Sequence, residues 1–215
     1  MNGIIVKEHP FFTVWQVAEP NLPGFSRFVA GVNCKRSQQP GVSCGAMANE
    51  MSDEDIMYCK NSFFYAVKTR KNKIAGTVRV CRWEAGMVFP AERLWGIEIP
   101  GLAERMPFIS PQIWHLGRLA VDGGEVAVDP HLAAMRVTLF ITLLVAAFRH
   151  ICTHEHNLMV AECDTRLSDK IKLLGIRLKV LGSPLNYMGS EVVPVCCTGK
   201  ELQLFIKKYG YVWDL

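Results

Sequence analysis

The stretch Ile113-Trp114-His115-Leu116-Gly117-Arg118-Leu119-Ala120-Val121-Asp122-Gly123-Gly124 decides the fold. Its first nine residues are dominated by β-branched, aromatic and large aliphatic side chains and hold no proline, which reads as a central strand. Asp122-Gly123-Gly124 ends that strand in a turn. Asp129-Pro130 then opens a helix, with an aspartate as cap and proline in the first helical position. The apolar pattern carries that helix to about Ile151, and its Leu, Ile, Val and Ala content calls for burial against a sheet on most of its circumference. Leu158 to Cys163 is the next strand. Strand 113–121, helix 130–151 and strand 158–163 therefore make one β-α-β unit.

Working outward, Phe63 to Lys68, Lys71-Asn72-Lys73 and Ile74 to Cys81 predict an antiparallel hairpin with one wetter face. Residues 84–111, punctuated by Gly and Pro, read as a connector with one helical turn near Leu102 to Met106. Thr165 begins a short helix stopped by Gly175, and Ile176 to Leu181 and Glu191 to Cys197 are strands. Thr198-Gly199-Lys200-Glu201 is a capping box opening a last helix that ends in Lys207-Lys208. Ile4-Ile5-Val6 and Phe11 to Val17 predict short strands. Pro20 to Ala48 predicts loops with one helical turn around Phe25 to Val29, and Ser52 with Asp55 a capped turn. The expected architecture is a single α/β domain over 1–215, a mixed and mostly antiparallel sheet flanked by helices, with an irregular segment over 1–50 and no internal repeats.

In this chain of 215 residues, half are apolar and 20% charged, which favours a packed domain over a disordered chain. The net charge of +4 is too small and dispersed to argue for nucleic acid. Eight cysteines show no C-x-x-C pair, and Cys196-Cys197 would point to opposite faces of a strand, so reduced thiols are expected rather than a disulfide framework. The N-terminus lacks a secretory pattern. The run Val137 to Phe148, bracketed by Arg136 and Arg149, falls well short of the roughly 20 residues needed to cross a bilayer. These features predict a cytoplasmic protein without a transmembrane segment.

The dinucleotide fingerprint, the P-loop and G-x-S-x-G are absent. His150-x-Cys152-x-His154-x-His156 has metal-ligand residue types, but Thr153, Glu155 and Asn157 among them suit a solvent-facing helix end, and no metal site is predicted. Backbone N–H groups around Gly123-Gly124 and at the start of helix 130–151 are a candidate receptor for a pyrophosphate or phosphopantetheine phosphate. Arg136 either contacts that phosphate or an acidic partner, or covers apolar surface with its stem.

Ala75-Gly76-Thr77-Val78-Arg79-Val80 followed by Ile113 to Val121 resembles the acyl-homoserine-lactone synthase branch of the GNAT superfamily, together with the related long-chain N-acyl amino acid synthases. The likeness continues through the buried helix, Met159 to Cys163, Leu173-Leu174-Gly175-Ile176 and Leu181 to Gly189, covering about 60–197. It implies substrate-site roles for Arg79, Trp114 and Arg118, and an acidic pair at Asp53 and Asp55. Family strands carry Trp-Glu-x-Ser/Thr-Arg; this one reads Trp114-His115-Leu116-Gly117-Arg118.

The resemblance implies transfer of an acyl group from acyl-carrier protein or acyl-CoA to a small amine or amino acid, with no tightly bound cofactor. Leu119, Val121, Gly123, Gly124 and Arg136 are the expected donor-binding residues, with N–H groups near 119–121 facing the developing oxyanion. His115 is either the base that deprotonates the amine or an orienting residue. On an ideal strand it shares a face with Gly117 and Leu119, opposite Arg118. Val137, Leu139, Phe140, Leu143 and Leu144 either line an acyl channel or pack the helix on the sheet. Lactone synthesis from S-adenosylmethionine, and non-catalytic binding of acylated carrier or lipid, are the alternatives.

Overall fold

A computed structural model describes residues 3–37 and 43–214. The strands in chain order are β1 (Gly3–His9), β2 (Phe12–Val17), β3 (Ser62–Thr69), β4 (Ile74–Arg82), β5 (Ile113–Val121), β6 (Leu158–Asp164), β7 (Lys179–Val180), β8 (Leu185–Tyr187) and β9 (Ser190–Thr198). The helices are α1 (Leu22–Arg36), α2 (Cys44–Met57), α3 (Pro90–Trp95), α4 (Ile99–Glu104), α5 (Gly123–Ala127), α6 (Pro130–Ala134), α7 (Arg136–Ile151), α8 (Thr165–Leu173), α9 (Gly199–Tyr209) and α10 (Tyr211–Asp214). The strands form one 9-stranded mixed sheet in the order β1-β2-β3-β4-β5-β6-β9-β7, with β8 also on β9. Among the described residues only β5 and β6 pair in parallel, as a β-α-β crossover requires.

Each face of the sheet has its own cover. On one side α7 and α9 bury Leu139, Leu143, Leu144, Phe148, Leu202 and Phe205 against Val78, Val80, Leu116 and Met159. Gly76 permits that contact, because a Cβ there would lie 2.9 Å from Leu143 Cδ1 and 3.1 Å from Leu139 Cδ2. On the other side α1 and α2 place Leu22, Phe25, Val29, Met47 and Met51 over Phe64, Ala66 and Ala120. There α3 and α4 continue the layer with Ala91, Ile99 and Leu102 over Ile113, Leu158 and Val160. Each fully buried Leu or Phe contributes about 1.5–3 kcal/mol.

The N-terminal region departs most from its sequence reading. Residues expected as loops form α1 and α2, while 38–42 lie outside the described residues. Pro23 sits in the first turn of α1, where its missing N–H costs nothing, and Leu22, Phe25, Ser26, Val29 and Ala30 keep helical spacing toward the sheet. Ser43, not Ser52, caps α2, accepting the Ala46 N–H at 3.3 Å. Helix packing also joins Cys34, in the last turn of α1, to Cys44, the first residue of α2, in a disulfide, so the expectation of reduced cysteines fails for this pair. Cys59, Cys81, Cys152, Cys163, Cys196 and Cys197 are free.

The helix expected over 130–151 is broken at Met135 (φ −95°, ψ 10°), giving α6 and then α7. The strand expected over 176–181 shrinks to Lys179–Val180. Among the described residues no helix is long and apolar enough to cross a membrane.

At the end of α7, His150 turns into the protein. Its ring stacks on Phe63 at 3.8 Å and its Nε2 lies 2.7 Å from the Tyr65 hydroxyl. Burial, with the Arg149 charge beside it, lowers the His150 pKa from 6.5 to about 4. Between these values the unfolded chain binds a proton that the folded one refuses, so stability falls as pH drops from about 6.5 to about 4. Allowing for the ring's partial exposure, the loss is about 1–2 kcal/mol. Urea unfolding at pH 7 and pH 4.5 should show this difference in wild type and a smaller one in His150→Phe. Of the other members of the sequence cluster, Cys152 Sγ approaches the Gly199 carbonyl, while His154 Nδ1 accepts the His156 N–H at 3.1 Å and His156 stacks on Phe108, away from His150.

Candidate active site

A bulge in β5 builds the site. Arg79 of β4 faces Gly117 and Thr77 faces Ala120, so Arg118 and Leu119 together oppose Val78. Arg118 takes a left-handed conformation (φ 56°), and its carbonyl accepts the Thr77 hydroxyl at 2.9 Å. The extra residue reverses the alternation. Arg118 thereby joins His115 and Gly117 on the α1/α2 face, where an ideal strand would have separated them. A left-handed non-glycine residue costs about 1–3 kcal/mol; the ion pairs it reaches offset that.

Those pairs converge on α2. Arg79, fully buried, donates through Nη1 to Asp55 Oδ1 at 2.7 Å and places Nη2 2.8 Å from Glu54 Oε1. Arg118 donates Nε to Asp55 Oδ1 at 3.1 Å and sets Nη2 3.2 Å from the same Glu54 oxygen. Ser26 Oγ donates to Asp55 Oδ2 at 2.8 Å. Burial opposes ionisation of Glu54, but the Arg79 and Arg118 guanidiniums outweigh it and hold the carboxyl at about 2. The same carboxylates raise the Arg79 pKa against its burial. Glu54 and Arg79 are thus both ionised throughout the physiological range.

His115 completes the cluster from β5. Its Nδ1 lies 3.2 Å from Arg79 Nη2, its Nε2 lies 2.7 Å from Glu162 Oε2 on β6, and Phe89 stacks on its ring at 4.5 Å. A guanidinium only donates, so Nδ1 is the acceptor and the ring proton is assigned to Nε2, directed at Glu162. Both ring nitrogens are committed. This arrangement favours the orienting role for His115 over that of a base.

Next to this cluster the sheet opens. Parallel pairing of β5 with β6 covers only Ile113–Leu158, Trp114–Met159 and His115–Val160, after which the strands diverge. A cavity of about 150 Å³ fills the gap, with His115, Gly117, Arg118, Leu119 and Glu162 at its polar end and Phe148, Ile171 and Val195 among its apolar walls. It adjoins an open cavity of about 980 Å³ lined by Leu119, Val121, Phe140, Leu167 and Leu174, where Arg36, Arg136, Arg166 and Lys170 outnumber Asp164 and Glu191. Arg36 reaches from the last turn of α1 and donates to the Val121 carbonyl at 2.9 Å. Because the Asp122 N–H turns to Ala75 on β4, Val121 presents its own N–H toward the opening.

The expected site residues divide. Arg79, Arg118, Asp55 and His115 come together, but Glu54 takes the place expected of Asp53, which is exposed on α2 one residue away from the inward-facing spacing. Trp114 packs in the core on the α7 face, away from the cluster. Leu119, Val121 and Arg136 line the larger cavity, as do Val137 and Phe140, whereas Leu139, Leu143 and Leu144 pack the sheet.

The Gly123-Gly124 turn is already occupied by an anion. Asp122 Oδ1 accepts the N–H groups of Gly124 at 2.9 Å and Glu125 at 3.3 Å, and Lys35 donates to Oδ2 at 2.7 Å. The Lys35 hydrogen bond and those N–H groups hold the Asp122 carboxyl below the usual carboxylate range. Asp129 caps α6 in the same way, through His131 and Leu132. The start of the helical segment is therefore not a free phosphate receptor. Arg136 crosses over Gly123, its Nη2 lying 3.3 Å from where a Cβ would be. Sequence reading missed Glu54, Glu162 and Arg36. Glu54 and Arg36 sit on helices hidden by the loop-like composition of 20–48, and nothing in the alternation of β6 sets Glu162 apart.

No family model matches the chain, and no curated protein matches it in sequence. Solved structures do match. FeeM, an N-acyl amino acid synthase from uncultured soil microbes, aligns over 92% of this chain and 96% of its own with a TM-score of 0.58 at 11% identity. The CoA-dependent acyl-homoserine lactone synthase BjaI, with SAM and isopentyl-CoA, aligns over 89% and 83% at 0.54 and 14% identity. An acetyltransferase of the GNAT family from Staphylococcus aureus MU50 aligns over 88% and 99% at 0.54 and 9% identity. The chain has the GNAT fold. The ionic cluster lies where β5 and β6 stop pairing.

Proposed function

We propose that this GNAT chain, as a single acyltransferase-like domain over 1–215, is an N-acyltransferase that moves an acyl group from a thioester to a small amine or amino acid. The observation that carries the reading is the split between β5 and β6, whose apolar depth, polar apex and cationic mouth meet at one place. An acyl chain would lie among Phe148, Ile171 and Val195, with the thioester beside Leu119 to Val121. The Val121 N–H is the candidate donor to the developing oxyanion. The amine, having lost one proton to water, attacks the thioester carbon. The C–S bond breaks, the amide nitrogen loses its second proton, and the sulfur leaves as a thiol. Holding both reactants in the split supplies the orientation on which such a reaction depends.

The donor is a substrate rather than a tightly bound cofactor. With the Gly124 and Glu125 N–H groups taken by Asp122, its phosphate falls to Arg36, Arg136, Arg166 and Lys170. Acyl-carrier protein offers one phosphopantetheine phosphodiester and CoA a pyrophosphate; both are candidates. A cytoplasmic site of action belongs to the same proposal, supported by the six free thiols Cys59, Cys81, Cys152, Cys163, Cys196 and Cys197 and opposed by the single Cys34–Cys44 disulfide.

Thiol release measured with acyl-CoA and acyl-carrier protein in parallel, across amino-acid acceptors, tests the proposal. Arg36→Ala and Arg136→Ala are each expected to raise the donor KM about five- to tenfold at low salt, and less at high salt, since each removes about one charge-assisted contact. An unchanged KM in both would remove the cationic mouth from the donor site. Release of methylthioadenosine from S-adenosylmethionine would mark the lactone-forming alternative, and donor binding without thiol release the non-catalytic one.

A further inference from the structure

Glu162 stands two residues beyond Val160, the last residue of β6 paired with β5, where the strands have begun to diverge. Its carboxylate nevertheless reaches back across the split. Oε2 accepts the His115 Nε2–H at 2.7 Å and Oε1 accepts the Ala91 N–H, at the start of α3, at 2.8 Å. The carboxylate is 8% exposed and the His115 side chain 2%, so each contact forms with little competition from water. The imidazole leans over Gly117, where a Cβ would stand 2.9 Å from Cε1 and 3.3 Å from Nδ1. From there Nδ1 meets Arg79 Nη2. A side-chain tie thus closes the apex where backbone pairing has stopped, and it continues through the ring to the arginine shared by Glu54 and Asp55.

We propose that Glu162 is a positioning residue of this site: it pins the apex of the β5/β6 split and anchors the Nε2–H of His115, so that the ring's Nδ1 is held on the Arg79 guanidinium. A protonated Nδ1 would set two donors against each other at 3.2 Å. Glu162→Gln puts an NH2 donor in place of one of the two accepting oxygens, so it cannot serve both the His115 and the Ala91 N–H. The effect on turnover rests on the acyl-transfer reading. The anchoring of the ring does not.

The test pairs nitrogen-15 histidine NMR with kinetics on the full chain. Wild type should show His115 with a protonated Nε2 and an acceptor Nδ1. In Glu162→Gln the Nε2 proton should lose its carboxylate partner, read as a shift of its nitrogen and proton resonances and faster exchange with water, with kcat down on the order of ten- to a hundredfold and donor KM within about twofold. In a His115→Gln background, Glu162→Gln should add little further loss, since both act through one ring. Glu162→Asp, which keeps the charge on a shorter arm, should be intermediate and supplies the NMR reading if the glutamine variant does not fold. An unchanged His115 signature, wild-type turnover in a folded Glu162→Gln, or losses that multiply with His115→Gln would overturn the proposal. If wild type transfers no acyl group, the acyltransferase reading falls, and the NMR signature alone decides the role of Glu162.

Discussion

Asp55→Ala is expected to lower the unfolding free energy by about 3–5 kcal/mol, the range for breaking a buried ion pair from one side. The carboxylate is fully buried and meets Arg79 Nη1 at 2.7 Å, Arg118 Nε at 3.1 Å and Ser26 Oγ at 2.8 Å. Alanine returns none of these contacts, and Arg79 has no route to water. The remaining Glu54 cannot satisfy both guanidiniums. Asp53→Ala, on the exposed side of the same helix, is expected to stay within about 0.5 kcal/mol of wild type. Urea titration of the two variants decides the matter; equal, small effects would mean that the cluster does not hold α2 on the sheet.

Gly117→Ser is expected to cut acyl transfer by on the order of a hundredfold, the scale of a misplaced catalytic arrangement. A Cβ there would come within 2.9 Å of the His115 ring, and that ring cannot swing aside without leaving either Arg79 or Glu162. The rest of the strand can stay in place, so the protein should fold while the cluster shifts. Kinetics together with a thermal midpoint separate the two effects: near-normal turnover would show that the site tolerates displacement of His115. The close approach also couples the two positions, because a histidine at 115 needs the space that a side chain at 117 would fill.

The central β-α-β unit was legible because its signals are local and strong: an uninterrupted strand at Ile113 to Val121, an apolar helix, then Leu158 to Cys163. The hairpin of β3 and β4 was legible for the same reason, but its face expected to be wetter is covered, with Lys68, Thr77 and Arg79 all buried. The helices α1 and α2 were not. Pro23, Gly24, Ser26, Gly31 and Asn33 disguise a helix that tertiary packing holds together through Phe25, Val29 and Ala30. The arginines of the site could be read in the strands, but not their meeting. That depends on a left-handed backbone at Arg118, which no alternation pattern encodes. Asp122 followed by Gly123-Gly124 read as an open phosphate turn, because the sequence does not reveal that the cap's own carboxylate fills it.

The central claim is that the β5/β6 split holds a thioester beside an amine. Its most direct test is mass spectrometry of the wild-type protein incubated with an isotope-labelled acyl-CoA, or the matching acyl-carrier protein, and a panel of amino acids. The expected result is a labelled amide whose formation matches thiol release and depends on the amino acid. Donor left intact with every acceptor, or hydrolysed to labelled free acid at the same rate with and without amine, would contradict it.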